Sequence, residues 1–147
     1  MVIPSFDPET GYLPPGEHRA SWPELLERFG WNPVRRALLD GLHEALTMLP
    51  EAGCSKVWLN GSFVTAKDEP GDFDAVWDDS GVDEDGIDPI FYDLGDGRLS
   101  QKLRFGGELF SNWLNLSSQS RFVEFFQHDL DGRSKGIVVI DPREVSL

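Results

Sequence analysis

Asp72 and Asp74 stand one residue apart in Asp72-Phe73-Asp74, shortly after a Gly61-Ser62 pair. On an extended strand, side chains at i and i+2 project to the same face, so both carboxylates can serve one site. Paired carboxylates are oxygen ligands for hard divalent cations, Mg²⁺ or Mn²⁺. Gly61 permits a tight turn and close approach of the backbone to a phosphate. Ser62 adds a hydroxyl and a backbone N–H where a turn or short helix would begin, which suits the same ligand. A gripped triphosphate, with cations holding the attacking and leaving oxygens in line, is the equipment of nucleotidyl transfer. Either motif alone is weak in so acidic a segment. The informative feature is their order: strand, Gly-Ser, turn, Asp-x-Asp strand.

For these residues to meet, two strands must flank them. Lys56-Val57-Trp58-Leu59-Asn60 reads as a short strand stopped by Gly61, and a turn or short helix covers Ser62 to Lys67. Asp72 to Trp77 alternates, with Phe73, Ala75 and Trp77 on one face and Asp72, Asp74 and Val76 on the other. A helix is expected over residues 33–49. Asn32 caps it, Pro33 opens it, Val34, Leu38, Leu42, Ala45, Leu46 and Leu49 recur at helical spacing, and Pro50 and Gly53 stop it. Ser21 with Glu24 forms a capping-box pattern for a shorter helix ending near Gly30. Further on, Leu99–Phe105 reads as a short helix ended by Gly106-Gly107. Glu108–Leu114 reads as a third strand with Glu108, Phe110 and Asn112 on one face, Arg121–Gln127 as a helix, and Gly136–Ile140 as a last strand. Residues 1–20, rich in Pro and Gly, read as an extended arm. The expectation is one α+β domain over residues 1–147, a mixed β-sheet with helices packed mainly on one face.

Composition limits the alternatives. At 39% apolar and 12% aromatic, with five Trp and ten Phe, the chain carries more core-forming residues than a disordered chain of net charge −13 would. Its length suits one core. Twelve of the 26 acids fall between Asp68 and Asp96, a span without Lys or Arg, leaving 14 acids against 13 bases elsewhere. One segment therefore carries the acidity. Asp72 and Asp74 are its candidate ligands, and Asp78 to Asp85 reads as a solvated loop. The lone Cys54 permits no internal disulfide and reads as a small buried residue. No apolar run approaches membrane-spanning length, so a cytoplasmic location is the default expectation. The histidines His18, His43 and His128 are scattered and make no metal spacing.

Leu59-Asn60-Gly61-Ser62 with Asp72-Phe73-Asp74-Ala75 resembles the signature of the polymerase-beta-type nucleotidyltransferase superfamily, above all its minimal members. Longer stretches resemble the nucleotidyltransferase-like family DUF6932: Leu13-Pro14-Pro15-Gly16, Gly61-Ser62-Phe63-Val64-Thr65, Lys102 with Phe105-Gly106-Gly107-Glu108-Leu109-Phe110, and Phe125-Phe126-Gln127 with Lys135-Gly136-Ile137. The superfamily resemblance implies Asp72 and Asp74 as metal ligands, Ser62 as a phosphate contact, and a third carboxylate on a later strand. Glu108 is its best positional match, with Asn112 or Asp88 as possible neighbours of the site. Asn60 stands where an apolar residue is more common.

Lys67, Lys102 and Arg104 are candidate triphosphate ligands or plain surface charges, and Thr65 either aids the phosphate grip or caps a turn. Trp77 and Trp113 either edge a base pocket or belong to the core. Gly95-Asp96-Gly97 reads as a turn, since no strand feeds it and no helix with Lys-Ser/Thr follows.

The resemblance implies an enzyme that moves a nucleoside monophosphate, AMP in particular, from an NTP such as ATP to a hydroxyl. Mg²⁺ or Mn²⁺ is the implied cofactor, in a toxin–antitoxin or phage-defence setting. The acidity argues against a nucleic-acid acceptor and for a protein one. The alternative is a catalytically weak nucleotidyltransferase fold that neutralises a protein partner by occlusion. A structural acidic protein, with the motif accidental, stands third.

Overall fold

In the computed structural model, the described residues are 3–93, 95–112, 114–115, 120–121, 127 and 132–145. Among these residues, three helices and a five-stranded mixed sheet form an α+β architecture. The helices begin where local chemistry starts them. Ser21 and Glu24 make the reciprocal capping box of α1 (Trp22–Phe29), and the Asn32 side chain accepts from the Arg35 N–H at 2.8 Å to open α2 (Pro33–Met48). Helix α3 (Leu99–Phe105) ends at Gly106, whose left-handed φ of 84° closes the last turn.

The sheet strands are β1 (Gly16–Arg19), β2 (Val57–Asn60), β3 (Phe73–Trp77), β4 (Gly107–Ser111) and β7 (Gly136–Ile140), and a separate two-residue ladder joins β5 (Leu114–Asn115) to β6 (Ser120–Arg121). Their order is β1-β7-β2-β3-β4, antiparallel across β7-β2-β3 and parallel at both edges. Side-chain alternation gives each face its own core. Val57, Leu59, Phe73, Ala75, Trp77, Val138 and Ile140 pack with apolar residues of all three helices, while Trp58, Val76, Ile137 and Val139 gather on the opposite face with Phe110. Trp77 and Cys54 are core residues, and burial raises the Cys54 thiol to about 11.

Four expectations change. The end of the arm is strand β1, because β7 has a free side and Gly136 N–H donates to Leu13 O at 3.1 Å just before the ladder begins. The third strand stops at Ser111 rather than Leu114, because Ser111 pairs with Trp77, the last residue of β3. Arg121 pairs in β6 instead of opening a helix; the rest of the expected 121–127 helix, apart from Gln127, lies outside the described residues. Val34 is 38% exposed, because α2 is rotated so that Arg35 enters the core in its place.

Arg35 is fully buried. Its guanidinium donates to the carbonyls of Phe29, Phe63, Thr65 and Lys67, with distances of 2.6–3.2 Å. It also lies 3.7 Å from the Trp31 ring centroid. Burial lowers it to about 10, partly offset by Asp68, so it remains a cation at neutral pH. One side chain thus ties α2 to the turn that follows Gly61.

Candidate active site

The C-terminal end of β2 and the N-terminal ends of β3 and β4 meet at one end of the sheet. Asn60 is the register partner of Asp74, and Asp74 of Glu108. Strand alternation puts Asp74 and Glu108 on the Trp58–Val76–Phe110 face, away from the helices. Asp72 immediately precedes β3. One carboxylate oxygen from each of Asp72, Asp74 and Glu108 lies within 4.8 Å of the others, and all three residues are half-buried. Among the described residues no other group of three His, Cys, Asp or Glu side chains comes as close.

Gly61 makes the turn beneath this trio. Its φ of 76° and ψ of −167° are open essentially to glycine alone. A Cβ there would also collide with Asp74 Oδ2. Gly61→Ala is therefore expected to cost about 1–3 kcal/mol and to displace the Asp74 carboxylate. Urea denaturation checks the first effect, and an unchanged midpoint contradicts this account of the turn.

Burial first, and then the neighbouring like charges, shift the carboxyls of the site. Burial, then Asp72 and Glu108, raises Asp74 to about 7, partly offset by Lys135 and Lys102. Asp72 is raised by burial and Glu108. Lys102 Nζ reaches Glu108 Oε1 at 3.0 Å, and Arg98 Nη1 lies 3.9 Å from Glu108 Oε2. The hydrogen bond to Glu108 raises Lys102. The Arg98 guanidinium covers the Phe110 ring at 3.9 Å from its centroid.

A cleft of about 470 Å³ is lined by Thr10, Gly11, Tyr12, Ser62, Thr65, Ala66, Lys67 and Lys135. Two lysines thus face a cavity that shares Ser62 with the Gly61 turn. Their charges reach the trio, Lys67 acting on Asp72 and Lys135 on Asp74. The donor set of the trio is all oxygen, and the buried Asn60 Oδ1 beside Asp74 has no hydrogen-bond partner. Such a set fits a hard divalent cation, Mg²⁺ or Mn²⁺, better than a thiolate- or imidazole-seeking metal.

The family described as "Family of unknown function (DUF6932)" matches residues 4–141. The chain belongs to it. The match takes in every residue described above at the cleft and the trio, from Thr10 to Lys135. No curated protein and no solved structure matches this DUF6932 chain. Among its described residues no helix is long and apolar enough to cross a membrane.

Of the residues singled out by sequence, the DUF6932 structure gathers Asp72, Asp74 and Glu108, sets Gly61 against Asp74, and places Ser62, Thr65 and Lys67 along the cleft. It gives Thr65 a structural task, since its hydroxyl donates to Ser62 O at 2.7 Å and accepts from Lys67 N–H at 3.2 Å. Lys102 joins the trio as the partner of Glu108, whereas Arg104 pairs at the surface with Glu44 at 3.1 Å. Asp88 caps the short turn Pro89–Tyr92. His18 bonds Pro14 O and His43 packs on Trp22. Trp113 and His128 lie outside the described residues.

Sequence reasoning missed Arg98, Lys135, Tyr12 and Arg35. Arg98 caps the start of α3 in a left-handed conformation (φ 65°), which no local pattern announced. Lys135 and Tyr12 meet through the β1–β7 pairing, which joins the two ends of the chain and leaves no local pattern.

Proposed function

We propose that this DUF6932 chain is a nucleotidyltransferase dependent on Mg²⁺ or Mn²⁺. It transfers a nucleoside monophosphate, AMP from ATP in particular, to a hydroxyl of a protein. The observation that carries the reading is the convergence of Asp72, Asp74 and Glu108 on one point, over the Gly61 turn and next to a two-lysine cleft. The mixed sheet with helices on one face supports a nucleotidyltransferase-like fold.

In this reading Asp72, Asp74 and Glu108 hold the cations, which supply charge neutralisation on the triphosphate and lower the barrier to attack at the α-phosphorus. Lys67 and Lys135 face the polyphosphate, and Ser62 offers its hydroxyl. The acceptor oxygen bonds to the α-phosphorus, its proton leaves, and pyrophosphate departs. The twelve acids between Asp68 and Asp96 repel a nucleic-acid acceptor and favour a protein one, in a toxin–antitoxin or phage-defence pair.

One observation favours the second reading, a weak fold that acts by occluding a partner: Glu108 is already engaged by Lys102 and Arg98. Incubation with α-labelled ATP and Mg²⁺, alone and with the protein encoded beside it, separates the two. The enzyme reading expects label on a protein, lost in Asp74→Ala. Inert wild-type protein that still binds its neighbour points to occlusion.

A further inference from the structure

Asn60 ends β2 and is fully buried. Its register partner is Asp74, whose other register partner is Glu108, so the three side chains form one row across β2, β3 and β4 on a single face. Asn60 Nδ2 donates to Trp58 O at 3.0 Å. That bond fixes the orientation of the amide, because turning it over would set Oδ1 against a carbonyl, acceptor to acceptor. With the orientation fixed, Oδ1 is buried and unpartnered.

An unpaired amide oxygen inside a protein is costly, and an apolar side chain of similar size would avoid the cost. The carboxylates beside Asn60 in that row do not supply the missing donor when ionised, since they are then acceptors as well. A hydrated divalent cation takes the carboxylates as ligands and presents the protons of its remaining waters to other acceptors. Asn60 stands one strand beyond Asp74, and a two-strand span of about 10 Å separates it from Glu108. A water-bridged place fits that position better than direct ligation by the same ion that Glu108 holds.

We infer that Asn60 is a positioning residue of the divalent-cation site, its Oδ1 accepting a hydrogen bond from a water of the cation's shell. The inference rests on the reading of Asp72, Asp74 and Glu108 as cation ligands. It explains why an amide, rather than an apolar side chain, precedes Gly61.

The test is Mn²⁺ binding to the intact chain, followed by calorimetry and by electron paramagnetic resonance of the free ion, with melting temperature measured in parallel. Wild type, N60L, N60D and D74N are compared. N60L is expected to bind Mn²⁺ about ten-fold more weakly while melting no lower than wild type without metal. A residue needed only for the fold would shift melting and leave affinity alone. N60D adds a carboxylate and is expected to bind more tightly than wild type, while melting lower without metal. N60L binding with wild-type affinity overturns the inference and leaves the carboxylate reading standing. If N60L fails to fold, N60D decides, and affinity no higher than wild type overturns the inference. Wild type that binds no Mn²⁺, or D74N that binds it as well as wild type, removes the carboxylate reading and the inference with it.

Discussion

Asp74→Asn raises the melting temperature at pH 8 in the absence of divalent cations and removes the stabilisation that Mg²⁺ or Mn²⁺ gives the wild type. Both effects follow from one carboxylate. Burial, Asp72 and Glu108 raise Asp74 to about 7 in the folded protein, against about 3.9 in an unfolded chain. Between those values the folded state holds the proton and the unfolded state does not. Folding stability therefore falls as pH rises through that window, and the whole penalty is present above about pH 7. Asparagine keeps the shape and carries no charge. The expected gain at pH 8 is on the order of 2 kcal/mol, or roughly 5 °C for a chain of this size. At pH 4 the two proteins melt alike. With millimolar Mn²⁺ at pH 8 the order reverses, because a ligand that binds only the folded state stabilises only the protein that can bind it. Differential scanning calorimetry over pH, with and without Mn²⁺, checks each limb. A wild type whose melting is insensitive to Asp74→Asn at pH 8 contradicts this description of the site.

Arg35→Met is expected to be strongly destabilising. Arg35 gives hydrogen bonds to four carbonyls from Phe29 to Lys67, and methionine leaves all four without that donor. Each buried group left unpaired costs about 1–3 kcal/mol. Rearrangement and entering water recover part of this, so the expected loss is about 3 kcal/mol or more. Three of the four carbonyls belong to residues 63–67, which lead from Ser62 to Lys67 along the cleft, so the damage reaches the site. Arg35→Lys recovers only part, because an ammonium cannot fork across several carbonyls as a guanidinium does. Chemical denaturation measures the loss, and Lys67 cross-linking by an ATP-derived reactive analogue measures the disturbed cleft. A midpoint within about 0.5 kcal/mol of wild type contradicts the role given to Arg35.

These residues also show which parts of the molecule can be read from the chain alone. Asp72-Phe73-Asp74 was legible because strand alternation is local, and the structure keeps Phe73, Ala75 and Trp77 in the helix-side core with Val76 opposite. α2 was legible through Asn32, Pro33 and the leucine spacing. Its rotation was not. Arg35 precedes Leu38 by three residues and Leu42 by seven, squarely on the apolar face, and that misplaced charge was the available signal. Val34, four residues before Leu38, also fits the helical spacing and is apolar, so the spacing alone did not choose between the two. Glu108 was reached by resemblance, and its place opposite Asp74 depends on the β3–β4 register. That register is a long-range pairing that local pattern does not encode. β1 and Lys135 depend likewise on the two ends of the chain pairing. Residues near Ser111 show the converse: the alternation runs on toward Leu114, but β3 ends at Trp77 and Leu114 pairs with Arg121 of β6 instead.

The central claim is that Asp72, Asp74 and Glu108 hold divalent cations for nucleotidyl transfer. X-ray diffraction at the manganese edge, from crystals grown with Mn²⁺ and a non-hydrolysable ATP analogue, tests it most directly. The account predicts an anomalous peak among the three carboxylates, with the polyphosphate in the cleft beside Lys67 and Lys135. Crystals that hold the analogue and Mn²⁺ elsewhere, with Glu108 still bonded to Lys102 and no anomalous density at the trio, would contradict it.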